Sequence, residues 1–273
     1  MTHWLTKRPV AAFLLVSFGI SYLIGFPVLM AYTAWTPPQP RVLRTYMSRV
    51  VVVYGPGIAA MLLTMLASGR LGAMGLVRRL VPRRSDLPLA AGILLVGVIS
   101  SGVAFAIAGI SLSRLASAIS STGVLLVTHF ILQILIVSIG EELGWRGWLL
   151  PRLLERQTPL RATLLTAAAW GIWHGPLLLS NALTTTLFLF AVVGLSFLFT
   201  WIWAHSAERL FLVVLAHATV NTPIFFWEEA AAANTQAATT AWYALEVMYA
   251  VAGCVLVLAT WKWWVQDTHP TRP

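Results

Sequence analysis

Charge, cysteine and metal-binding patterns are all scarce in this chain. Charged residues make up 10% of it and hydrophobic residues 59%, whereas a soluble globular chain carries about 25% charged residues. That excludes a soluble domain and implies a polytopic membrane protein, all-α, built as a single helix bundle over residues 1–273. The one cysteine, Cys254, excludes an internal disulfide and any cysteine-built zinc cage. It lies in an apolar run and is expected to be a small packing residue. No His-Glu-x-x-His pattern is present, so a zinc site would rest on ligand types alone. Internal repeats are missing too, which argues against a transporter assembled from paired halves.

Positive charge is present in excess, with 18 Lys and Arg against 9 Asp and Glu. Nucleic acid is one conceivable counterpart. The basic residues, however, collect in the loops between apolar runs, which is the pattern that orients a membrane protein against anionic lipid. The lipid bilayer, not nucleic acid, is the expected partner.

A span needs about 20 apolar residues. Eight stretches qualify, at about Val10–Tyr32, Val50–Ala67, Leu87–Ile110, Gly123–Leu150, Leu160–Leu179, Thr185–Ala204, Leu210–Phe226 and Thr240–Trp264. The first follows Lys7 and Arg8 like a signal peptide, but is long enough to span and is expected to be retained. Pro37, Pro38 and Pro40 mark a loop. Gly55-Pro56-Gly57 in the second stretch should either kink it or let another helix approach closely, and close packing is favoured. Eight spans put both termini on one side. Of the 18 Lys and Arg, Arg41, Arg44, Arg49 and Arg114 alone then fall on the other side, so both termini are expected to be cytoplasmic. The loop with Glu228 and Glu229 falls outside.

Three polar islands interrupt the apolar runs. The first is Glu141-Glu142 with Arg146. Glu142 and Arg146 are four apart and can pair along one helix face, whereas Glu141 lies ~100° around the helix and is left for chemistry. The second is His174, with Trp170 one turn before it and able to pack on its ring. The third is His217 with Asn221, again four apart. Measured at 1.5 Å per residue, these residues lie roughly 10 to 21 Å from the inner ends of their spans. Glu141, His174, His217 and Asn221 can therefore meet in one layer. Intramembrane ionisable residues are costly and point to function. His129 and His205, isolated, are expected to be packing or hydrogen-bonding residues.

A carboxylate in a low-dielectric pocket can serve as general base. Glu141 with His174 could activate a water, while His217 and Asn221 could donate to the oxyanion of a tetrahedral intermediate. The set Glu141, His174 and His217 could instead hold zinc with an open position; both versions stay open.

The islands resemble the three motifs of the CAAX-protease and bacteriocin-processing family of intramembrane endopeptidases: Glu-Glu-x-x-x-Arg, Phe-x-x-x-His and His-x-x-x-Asn/Asp. Here they stand as Glu141-Glu142-x-x-x-Arg146, Trp170-x-x-x-His174 and His217-x-x-x-Asn221, within about residues 123–223. Trp170 replaces the usual Phe and keeps an aromatic in place. The resemblance implies an eight-helix bundle in a bacterial or archaeal cell membrane, with a cavity opening toward the cytoplasm. It implies catalysis by Glu141, His174, His217 and Asn221, supported by Glu142, Arg146 and Trp170. It also implies hydrolysis of a membrane-associated peptide or protein, by a metal-free glutamate–water scheme with no required cofactor, although members have been called metalloproteases. The rival is a non-catalytic immunity or chaperone-like protein on the same fold.

Overall fold

The computed structural model describes residues 7–35, 40–230 and 235–266, and every regular element among them is helical. Pro37, Pro38, Arg272, the Ala231–Ala233 stretch and the side chains of Arg41, Glu228 and Glu229 lie outside the described set.

The chain opens with α1 (Pro9–Phe18), which passes through a π-helical stretch, Gly19–Gly25, into α2 (Phe26–Trp35). A short α3 (Arg41–Met47) leads to α4 (Val50–Arg78), and α5 (Leu87–Ile107) follows. The next element is long and irregular. It comprises α6 (Leu112–Leu132), a π-helical stretch Gln133–Ser138, α7 (Ile139–Gly144), a second π-helical stretch Trp145–Leu149, and α8 (Leu150–Leu154). Then come α9 (Pro159–Trp173), a 3-10 stretch Gly175–Leu179, α10 (Ala182–His205), α11 (Leu210–Ala230), α12 (Thr235–Ala259) and α13 (Trp261–Val265).

Local chemistry sets several of these boundaries. Thr158 Oγ1 accepts the Arg161 amide and Asn181 Oδ1 accepts the Thr184 amide, so α9 and α10 each begin on a side-chain cap. Pro159 occupies the first turn of α9, where its missing N–H costs nothing. Two expected span boundaries coincide with backbone breaks. α4 is interrupted at Gly69, which has φ 64°, a conformation that glycine adopts without a Cβ penalty. α6 is interrupted at Thr122, next to the expected start of the fourth span.

Among the described residues six helices are long and apolar enough to cross a membrane. The expected fifth and seventh spans are shorter. Gly175-Pro176 ends the α-helical part of the fifth after the 15 residues of α9, because proline cannot donate to a continuing helix. The seventh is an apolar helix over Leu210–Phe226. Both are packed inside the bundle: Ala162, Thr163 and Thr166 of α9 and Leu210, Val213 and Ala218 of α11 are fully enclosed.

Gly55-Pro56-Gly57 serves close packing. α4 runs through Pro56 with helical dihedrals. A Cβ on Gly57 would stand 2.6 Å from the Gly140 carbonyl oxygen, and one on Gly144 would stand 2.4 Å from Pro56 Cβ. α4 and α7 therefore cross at a separation that only glycine permits. A second such crossing joins α10 and α12, where a Cβ on Gly194 would meet the Tyr249 carbonyl oxygen at 2.3 Å. Cys254 departs from expectation: it lies exposed on the outer face of α12 and packs against no core.

One end of the bundle is solid. Phe13 stacks on Trp148 at 4.9 Å and meets Trp145 edge-on at 5.7 Å. Leu76 and Leu210 close over Gly147, and Leu149 and Leu150 are fully buried. The loops at this end are tied together by Arg209–Asp86 (2.8 Å) and Arg79–Glu208 (2.9 Å), and by the Phe211 amide donating to the Arg79 carbonyl. Arg78, Arg79, Arg83, Arg84 and Arg209 all belong to this end.

Candidate active site

The other half of the bundle is hollow. A cavity of about 610 Å³ is enclosed by α1–α2, the start of α4, α7, the end of α9, α10, α11 and α12. Its floor is buried Glu141, Trp170, Val192 and His217, whereas its rim carries the exposed Phe26, Arg49 and Ser180. Glu141, His174, His217 and Asn221 all line it, among mostly apolar neighbours.

The crossing of Gly140 against Val53 sets Glu141 at the floor. Its Oε2 accepts the indole N–H of Trp170 at 2.7 Å. The Trp170 carbonyl accepts the Nδ1–H of His174 at 2.8 Å, so one residue orients both. With Nδ1 committed as a donor, the neutral His174 ring carries its free lone pair on Nε2. Trp170 also meets the His174 ring edge-on at 5.7 Å, as its spacing implies. The exchange of Phe for Trp is therefore more than the retention of an aromatic: it adds a donor to Glu141.

Glu142 turns the other way. Arg146 Nη1 donates to both its oxygens, at 2.9 and 3.1 Å, and both residues are 0% exposed. The same guanidinium lies over Trp170 (4.5 Å) and Phe199 (5.0 Å), and its Nη2 donates to Ser196 Oγ. Glu142 Oε1 also pairs with His217 Nδ1 at 2.7 Å. This carboxylate is thus shared between a guanidinium and an imidazole, which compensates its burial. Spacing revealed the arginine partner but not the histidine, 75 residues away.

Further supports were not legible in sequence. Asn221 Nδ2 donates to Gln133 Oε1 at 3.3 Å, from the π-helical stretch Gln133–Ser138. The break after His174 is held by the first span: Trp173 Nε1 donates to Ser21 Oγ at 2.9 Å, the Gly175 amide donates to Tyr22 Oη at 3.1 Å, and that hydroxyl donates to the Trp173 carbonyl. His129 pairs with Tyr46 and His205 stacks on Trp201, both away from the cavity.

Zinc does not fit this arrangement. Among the described residues no three His, Cys, Asp or Glu side chains converge as a metal-holding group, and Glu141, His174 and His217 are no exception. No step is derived through a metal.

The cavity's direction bears on two expectations. Its rim is at the end away from Arg78–Arg84, Arg152 and Arg209. Cytoplasmic basic loops and a cavity open to the cytoplasm therefore cannot both hold.

The sequence pattern described as type II CAAX prenyl endopeptidase Rce1-like matches residues 122–223, the stretch that carries all three islands. Among curated proteins, the chain is similar to CAAX prenyl protease 2 of Methanococcus maripaludis. The two are 24% identical over 99 residues, covering 32% of this chain and 36% of that protein, so the match spans only about a third of either. The resemblance carried by the three islands is thus borne out over residues 122–223, which match the Rce1-like type II CAAX prenyl endopeptidase pattern.

Proposed function

We propose that the protein is an intramembrane endopeptidase that cleaves a membrane-associated peptide or protein with Glu141 as general base. The supporting observation is that Glu141, His174, His217 and Asn221 converge on one largely apolar cavity, from three different helical segments. Glu141 takes a proton from water, assisted by the free Nε2 of His174, and the water oxygen attacks the carbonyl carbon of the scissile bond. The oxyanion that forms is met by the second amide N–H of Asn221 and, in its imidazolium form, by Nε2–H of His217. The C–N bond breaks as the proton on Glu141 passes to the leaving nitrogen, giving a carboxylate and an amine.

Glu141→Gln keeps the shape and removes the base. Loss of a general base costs about 10²- to 10⁴-fold, measured as peptide cleavage in detergent or nanodiscs. Equal cleavage by both proteins would overturn the mechanism. Metal analysis of the active protein tests the zinc alternative, which requires near-stoichiometric metal and loss of activity with chelator. Full biological function in Glu141→Gln cells would instead support a non-catalytic role.

The clustering of basic residues supports cytoplasmic termini. We therefore place the cavity rim on the extracytoplasmic half, with substrate arriving from that leaflet. In a Cys254→Ala background, Ser180→Cys at the rim should react with a membrane-impermeant maleimide in intact cells. Arg84→Cys should react only after permeabilisation. The reverse pattern would return the cavity to the cytoplasmic side.

A further inference from the structure

The catalytic scheme leaves one acid in the cavity unused. Glu246, on α12, lines the wall together with Trp242, Leu245 and Tyr249. Its Oε1 accepts the Trp242 indole N–H at 2.5 Å. Its Oε2 is buried and has no hydrogen-bond partner. Among the described residues no cation pairs with it. Arg49, the other charged group on the cavity wall outside the proposed catalytic set, sits over the Phe225 ring at 5.9 Å and forms no ion pair with Glu246. The α12 backbone cannot readily draw this side chain back, because α12 is locked against α10 at the Gly194 crossing, one turn further along.

A buried carboxylate oxygen without a donor is costly, and proteins normally satisfy such a group. The residue that carries it lines the substrate cavity. Glu142 shows the contrast: fully buried, it has Arg146 and His217. Resting on the endopeptidase reading, we propose that Glu246 is a substrate-recognition residue. It accepts a hydrogen bond from a basic side chain, lysine or arginine, in an otherwise apolar peptide. Trp242 positions it by holding Oε1, and Oε2 is the oxygen left without a donor. The specificity is then for an apolar segment carrying one cation at a fixed distance from the cleaved bond.

The test uses full-length protein in nanodiscs and a set of Leu/Ala dodecapeptides, each with one lysine or one norleucine, at every position in turn. Binding is measured on Glu141→Gln protein, so that turnover is not required. Lysine should be preferred over norleucine at one register by about tenfold or more, the scale of a hydrogen bond to a charged group. The ratio should collapse in Glu141→Gln/Glu246→Gln protein. A hydrophobic carbodiimide should join the bound lysine to Glu246, located by mass spectrometry, and this readout stands even where the double variant does not fold. Lack of lysine preference at every register, a preference that survives Glu246→Gln, or crosslinks only at other acids would overturn the assignment. Failure of the endopeptidase reading looks different: wild type would cleave none of the peptides while the binding ratio and its dependence on Glu246 persisted.

Discussion

The two ends of the bundle are built for opposite purposes. At the end with the basic loops, Phe13, Trp145, Trp148, Leu149, Leu150 and Leu210 fill the interior. At the other end the same helices part around about 610 Å³ of space. The boundary between them is the pair of adjacent glutamates. Glu142 faces the solid half and is fully paired, whereas Glu141 faces the hollow half, with Trp170 as its hydrogen-bond donor. The comparison teaches that two neighbouring, identical side chains acquire different work from where the packing stops. A buried charge with every partner in place contributes to specificity of structure; one with an open side is available for chemistry.

If this division is right, substitutions in the hollow half should lower activity and spare stability, and those in the solid half should do the reverse. The largest effect is expected from Glu141→Gln, which should lose about 10²- to 10⁴-fold in cleavage while its melting profile in detergent stays that of wild type. Arg146→Ala leaves Glu142 with His217 alone, in a fully enclosed site. Removing one member of a buried pair costs about 3–5 kcal/mol, so thermal unfolding in detergent should show a large loss of folded protein. A stable Arg146→Ala protein would erase the distinction between the two acids. Gly144→Ala places a methyl against the Pro56 backbone, and forcing such a contact costs roughly 1–3 kcal/mol. The smallest effect should come from Trp170→Phe, which restores the family's usual residue, keeps an aromatic ring beneath Arg146 and removes the donor to Glu141. Loss of about tenfold in kcat, with folding unchanged, would place this bond with the chemistry. A change in stability without a change in kcat would move Trp170 to the solid half.

Much of this contrast was legible in the amino-acid sequence. Four-residue spacing identified the Glu142–Arg146 pair, and the angular offset of neighbouring helical positions turned Glu141 away from it. Counting residues inward brought four side chains from distant segments to one level, and one cavity includes them all. The rest depended on contacts that no local pattern encodes. His217 with Glu142, Trp170 with Glu141 and Gln133 with Asn221 join residues 75, 29 and 88 positions apart. The place where the bundle hollows was hidden for another reason. Depth arithmetic locates side chains but says nothing of where the surrounding helices separate. Cys254 was misjudged because an apolar run in a membrane protein can face lipid as readily as core.

Two of the π-helical stretches, Gln133–Ser138 and Trp145–Leu149, bracket α7 and its two acids. A π-helical turn amounts to one residue inserted into an α-helix, and it shifts everything beyond it by ~100° in azimuth. The aim of Glu141 and Glu142 is therefore held by a residue count on either side. Loss of a single codon within Gln133–Ser138 could relax that stretch to plain α-helix and turn the upstream segment relative to the acids, carrying Gln133 away from Asn221. The site is therefore sensitive to frame-preserving deletion in a stretch where a point substitution leaves the residue count unchanged.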